Sequence, residues 1–121
     1  MYAMKDKFYR AINAATGEVI ADKVRIAQNF KSRSIGLLNR RSLNENEALL
    51  IKPCASIHTF FMKFPIDVLF LSKEGNIVKI EHSLKPWKLS GCLAGCFMVL
   101  ELQQGKVSKT TIKIGNSIKI C

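Results

Sequence analysis

Apolar and polar positions alternate over short stretches of this chain, and the stretches are separated by breaks rich in glycine, asparagine or proline. Such alternation places successive side chains on opposite faces of a β-strand. In KFYRAINAATGEVIADKVRIAQN, two stretches flank Thr16 and Gly17, and Val24 and Ile26 mark one face of the second; a pair of strands around a turn is predicted. The pattern changes at KSRSIGLLNRRSL, where Ser32 or Ser34 can cap a short helix with Ile35, Leu37 and Leu38 on its apolar face. NENE is a polar loop, and ALLIKP a short buried strand stopped by Pro53. SIHTFFM and IDVLFLS predict strands broken at Phe64 and Pro65. KEGN is a hairpin turn in which Gly75 or Asn76 supplies the positive φ, and IVKIEHS is the returning strand. LKPWKLSGCLAG predicts a longer irregular loop, CFMVLEL a strand, QQGKVSKTTIKIG one helical turn, and NSIKIC a last strand. The expected fold is mainly β (small α+β), a compact sandwich or partly closed barrel with one or two short helices. Without repeats or linkers, residues 1–121 are expected to form a single domain.

Charge adds a question about partners. The 121 residues include 19 Lys and Arg against 9 Asp and Glu, a net charge of +10. That excess favours nucleic acid, an anionic membrane surface or acidic ligands. Yet Lys73, Lys79, Lys85, Lys88, Lys106, Lys109, Lys113 and Lys119 are scattered singly, as on solvated strand faces. The polar start lacks the apolar core of a signal peptide, and no apolar run approaches the ~20 residues of a membrane helix. The expectation is a soluble cytoplasmic protein with no membrane span. Its four cysteines, Cys54, Cys92, Cys96 and Cys121, are then expected as thiols, and their spacing makes no zinc ribbon.

Candidate chemistry concentrates in CASIHTFFMKFPIDVLFL. As one strand, Cys54, Ser56, His58, Phe60 and Met62 would share a face. Cysteine, histidine and methionine suit a soft metal such as Cu(I), with Cys54 and His58 as candidate ligands. Strand rise would separate those two by about 13 Å, too far to share an ion unless the strand bends or His58 takes a ligand from elsewhere; no metal is expected, and no other cofactor. As a nucleophile, Cys54 would need His58 or His82 within hydrogen-bond reach. Asp67, between Ile66 and Val68 in an otherwise apolar strand, must be paired or hydrogen-bonded. Arg33 and Arg40 are the expected partners, since arginine offers a two-pronged fork to a carboxylate. Such a pair would either pin the helix to the sheet or line a pocket with Arg33, Arg40, His58, Met62 and Asp67, where the arginines hold an anionic ligand. Arg40, Arg41, Lys85, Trp87 and Lys88 could instead stack and hold a nucleic acid. The glycines form neither GxGxxG nor a P-loop.

SRSIGLLNRRSL resembles an R-x-x-GLM-x-R-x-x-L signature, and IHTFFMKFPIDVLFLSKEGNIVKI resembles F-x-M-x-x-x-x-PLDVIFLD-x-xG-x-VV. PWKL, VLELQQG and IKIGNSIKI resemble the end of the same pattern, that of the bacterial and archaeal family called domain of unknown function 192. The resemblance runs from about 24 to 120, and C-x-S-I-H-T-F-x-M is similar to a branch with histidine at that place. It implies a compact, barrel-like β fold with a short helix near the Arg-Gly-Leu motif, and no established reaction. Leu38 stands where the family has methionine, and Asn116 where it has aspartate. The resulting expectation is a binding or accessory module rather than an enzyme. Its polar cleft would be built from Arg33, Gly36, Arg40, His58, Met62 and Asp67, for a small anionic ligand or a protein partner. The alternatives are a thiol-dependent or hydrolytic enzyme using Cys54, His58 and Asp67, and a basic nucleic-acid-associated protein.

Overall fold

The computed structural model describes residues 7–29, 33 and 36–121. Among them the chain forms β1 (Tyr9–Asn13), β2 (Val19–Ala27), β3 (Glu47–Ile51), β4 (Ser56–His58), β5 (Ile66–Leu71), β6 (Ile77–Leu84), β7 (Leu89–Gly91), β8 (Met98–Gln103) and β9 (Ile118–Ile120). One 3-10 turn spans Val107–Lys109. Seven strands make one sheet in the order β6-β5-β8-β3-β2-β1-β9, and β4 pairs with β7 separately. Neighbours run antiparallel except β2 and β3, which are parallel. A parallel pair cannot be joined by a tight turn, and residues 28–46 provide the crossover.

The central strands explain the longest apolar runs. All six residues of β5 are buried, because both faces of the sheet are covered. On one face Leu69, Leu71, Leu100 and Leu102 join Ile20, Val24, Ile77 and Ile118 in a core that fills the curl of the sheet. On the other face Leu49, Ile51, Val68, Phe70 and Val99 lie beneath Leu37, Leu43, Ile57 and Met62. Fully buried side chains such as Phe70 and Leu100 each contribute about 1.5–3 kcal/mol relative to exposure.

The curl is fastened where the β5–β6 hairpin meets the approach to β9. Ile77 N–H donates to the Asn116 carbonyl, Gly115 N–H to the Ile77 carbonyl and Ile118 N–H to the Gly75 carbonyl, each at 2.8 Å. Gly75 has φ +92, and a Cβ there would stand 2.6 Å from the Ile118 carbonyl oxygen. Asn116 at the following turn accepts from Lys113 N–H at 2.8 Å and from Asn13 Nδ2 at 3.3 Å. It thus holds the sheet edge through its side-chain amide.

The mainly β reading holds, and the sheet is a curled half-barrel. The expected helix falls partly on Ser32, Ser34 and Ile35, which lie outside the described residues; residues 36–39 are a turn, with Leu37 buried. Three expectations are corrected. SIHTFFM is strand only to His58, so Cys54, Ser56, His58, Phe60 and Met62 do not share one strand face. The expected irregular loop contains β7. Both corrections trace to the buried Thr59. Its hydroxyl donates to the Lys85 carbonyl (2.6 Å) and accepts from Lys88 N–H (2.9 Å). Its own N–H donates to the Lys88 carbonyl, and its carbonyl accepts from Trp87 N–H. These bonds end β4 and bring β7 beside it. Third, Cys92 and Cys96 form a disulfide rather than free thiols. The intervening loop turns through Gly95 at φ +81, bringing their Cα atoms within 6.1 Å.

Candidate functional site

A cleft of about 360 Å³ opens on the face that carries Leu49, Val68 and Val99. Arg33 and residues 36–38 form one wall, residues 53–58 the other, and Met62, Ile51 and Glu101 complete its lining. The local sequence explains the second wall. Pro53, after a cis peptide bond, ends β3, and Cys54 N–H is held by the Phe97 carbonyl at 2.8 Å. The short β4 then pairs Ile57 with Ser90 and buries Ile57 beneath the segment.

His58 is exposed. Its Nδ1 accepts from Phe60 N–H at 3.3 Å, and its ring stacks on Phe60 at 4.9 Å. Cys54 donates its thiol to the Ser56 carbonyl at 3.1 Å. Burial pushes the Cys54 pKa up; the Ser56 backbone and Arg33 oppose this by less, and Glu101 adds to it. A raised pKa makes a poor thiolate nucleophile. Among the described residues Cys54 bonds neither His58 nor His82, so the pairing required by thiol catalysis is not formed. No group of three or more His, Cys, Asp or Glu gathers as a metal site among the described residues.

The structure brings Arg33, His58 and Met62 to the cleft and sends Arg40 and Asp67 elsewhere. Arg40 reaches both carboxylate oxygens of Glu47, at 2.9 and 3.1 Å. Burial alone would push the Glu47 pKa up, but the Asn44 N–H and Arg40 outweigh it and hold the pKa below the ordinary value. Asp67 is fully buried and accepts Ser83 N–H on Oδ1 and Val107 N–H on Oδ2, each at 2.9 Å. The expected arginine–aspartate pair is therefore replaced by two backbone amides. Ser83, at φ +51, and the first residue of the 3-10 turn both aim their N–H groups inward at this carboxylate. Register places Asp67 opposite Leu102 and Glu101 opposite Val68, so the two carboxylates stand on opposite faces of the sheet.

Glu101 is the cleft residue that the sequence reading passed over. Its signal was the one used for Asp67: a charge inside an apolar strand, VLEL. It is 4% exposed, and burial pushes its pKa up to about 7. Leu49 and Val68 flank it across the sheet, and no described residue donates a hydrogen bond to it.

Beyond His58 the aromatic rings continue outward. Trp87 packs on Phe60 at 5.9 Å and on Phe61 at 4.6 Å. Trp87 and Phe61 are both largely exposed, and both hold φ +66, a region that side chains other than glycine seldom adopt. Lys85 and Lys88 flank the ridge and are exposed.

The family model DUF192, described as an uncharacterized ACR, matches residues 11–120. The chain belongs to the DUF192 family. This DUF192 chain is 34% identical over 113 residues to a UPF0127 protein of Thermococcus sibiricus, covering 88% of the chain and 71% of that protein. It is 33% identical to a UPF0127 protein of Pyrococcus abyssi, covering 80% and 85%. A putative transcription regulator from Sinorhizobium meliloti has the same fold, with TM-score 0.80 at 24% identity over 93% of this chain and 91% of that one. So does a protein of unknown function from Novosphingobium aromaticivorans, with TM-score 0.79 at 18% identity over 92% and 82%. No helix among the described residues of the DUF192 chain is long and apolar enough to cross a membrane.

Proposed function

We propose that this DUF192 protein binds a small molecule in the cleft between residues 36–38 and 53–58. The observation that carries the reading is a cavity of about 360 Å³ lined by Glu101, a buried carboxylate that accepts no hydrogen bond from the described residues, beside apolar Met62 and Ile51. Ligand sites are typically concave, about 300–1,000 Å³, with a few polar groups on an apolar lining. Arg33 offers its fork to an anionic group and His58 its ring to a planar one. An NMR fragment screen with labelled methyl groups tests this. Ligands are expected to shift Met62, Ile51 and Ile57, and to leave Leu102 and Ile20 in the opposite core unmoved. Fragments that shift no cleft methyl overturn the reading.

The exposed ridge of Phe61 and Trp87 between Lys85 and Lys88 favours a second reading, single-stranded nucleic acid stacked on the rings. The structural neighbour described as a putative transcription regulator is compatible with it. Because Trp87 is the sole tryptophan, its fluorescence reports directly on the ridge. Quenching by an oligonucleotide that weakens steeply with added salt is expected on this reading. No quenching at low salt removes it.

A further inference from the structure

We propose that the inner part of the cleft binds the ammonium group of a small primary amine, with Glu101 as its counter-ion. The proposal rests on the cleft being a ligand site and names what that ligand carries.

Apolar side chains surround the carboxylate. Leu49, Ile51, Val68, Phe70 and Val99 share the face of Glu101, so an apolar residue would fit this position at least as well. Buried charges in proteins are paired or hydrogen-bonded. Asp67 obeys that rule through two backbone amides, whereas Glu101 receives no donor from the described residues and is one of the groups lining the cavity. The donor that the described residues do not supply is one that the cleft can admit. An ammonium ion supplies charge-assisted hydrogen bonds to a carboxylate largely shielded from water, where they are stronger than at an exposed site. The gathering of ligands that a metal ion would need is not formed among the described residues.

The other charged or titratable groups are placed so that Glu101 decides the preference. Arg33, Cys54 and His58 line the cleft with it. Arg25 of β2 and Glu81 of β6 stand at the two ends of the same cross-strand row, beyond Leu49 and Val68. Arg33 and His58 are exposed, while Glu101 is 4% exposed. A cation that passes them therefore meets its counter-charge where solvent screens least.

The test compares butylammonium chloride, sodium butyrate and sodium chloride at equal ionic strength, read by cleft methyl shifts and by the labelled Glu101 carboxyl carbon. Butylammonium is expected to shift the methyls saturably and to lower the midpoint of the Glu101 titration, because the cation favours the ionised form. Glu101→Gln is expected to weaken butylammonium about 30-fold or more, the usual effect of removing one member of a buried charge pair. If butyrate binds the cleft as well as butylammonium, or Glu101→Gln retains the amine, the assignment is overturned while the ligand cleft stands. If amines and fragments alike leave the cleft methyls unmoved, both readings fall. Should the variant fail to fold, the wild-type titration decides: a Glu101 midpoint unmoved by saturating butylammonium overturns the assignment.

Discussion

Asp67→Ala is expected to destabilise the protein by about 3–5 kcal/mol, read from urea unfolding at neutral pH. The carboxylate holds the N–H groups of Ser83 and Val107 at 2.9 Å from inside the sheet. Hydrogen bonds to a charged group contribute roughly 1.5–3 kcal/mol each, and a buried donor left without an acceptor loses its hydration as well. Alanine removes both acceptors at once. Asp67→Asn keeps one oxygen but turns an NH2 group toward the second N–H, so an intermediate loss of about 2–3 kcal/mol is expected. Because Asp67 lies across the sheet from the cleft, ligand binding by the folded fraction is expected to be unchanged. A loss below about 1 kcal/mol for the alanine variant would show that these amides find other acceptors.

Glu101 gives the second large effect, and it has the opposite pH direction from an ordinary paired carboxylate. Its folded pKa of about 7 lies above the ordinary 4.5. Between these values the folded protein keeps a proton that the unfolded chain releases. The stabilisation is therefore full below about pH 4.5 and is lost as pH rises through about 7. That interval, at about 1.4 kcal/mol per pH unit, corresponds to about 3 kcal/mol. Glu101→Gln carries no such proton. The stability of the variant relative to wild type should therefore increase by about 3 kcal/mol from pH 4 to pH 8 in parallel urea titrations. Glu18 and Glu47 act the other way. Thr111, through its backbone and side chain, holds the Glu18 pKa down against burial; at Glu47, Asn44 and Arg40 overcome the effect of burial. Their contributions fall away in acid, but they are common to both proteins and cancel in the difference. A flat difference across this range would refute the burial of a protonated Glu101.

What could be read from the sequence divides along the range of the interactions. β1, β2, β5, β6 and β8 announce themselves through alternation or through a fully apolar run, both local signals. β4 and β7 are three residues each, too short to carry a period, and exist because Thr59 bonds the 85–88 loop far along the chain. The site divides similarly. The need of Asp67 for partners is legible in the sequence, but backbone amides carry no side-chain signature, whereas the arginines do. Arg40 had a nearer acid in Glu47, seven residues on. Glu101 carries the same signal as Asp67, a lone charge within an apolar strand. Arg33, His58 and Met62 were legible as polar or soft residues near apolar strands, and the fold brings them to one cavity.

Adjacent placement of the two buried acids also bears on how β5 and β8 find their alignment. Each strand carries one charge that only one side of the sheet tolerates: Asp67 where amides await it, Glu101 where a cavity opens. A slip of one residue turns a strand over. Shifted β8 would drive Glu101 among Leu69 and Leu71, and shifted β5 would strip Asp67 of Ser83 and Val107. Leucines and valines on both sides would accept either alignment almost equally. The carboxylates do not, and so they act as a key that admits a single pairing of otherwise interchangeable apolar strands.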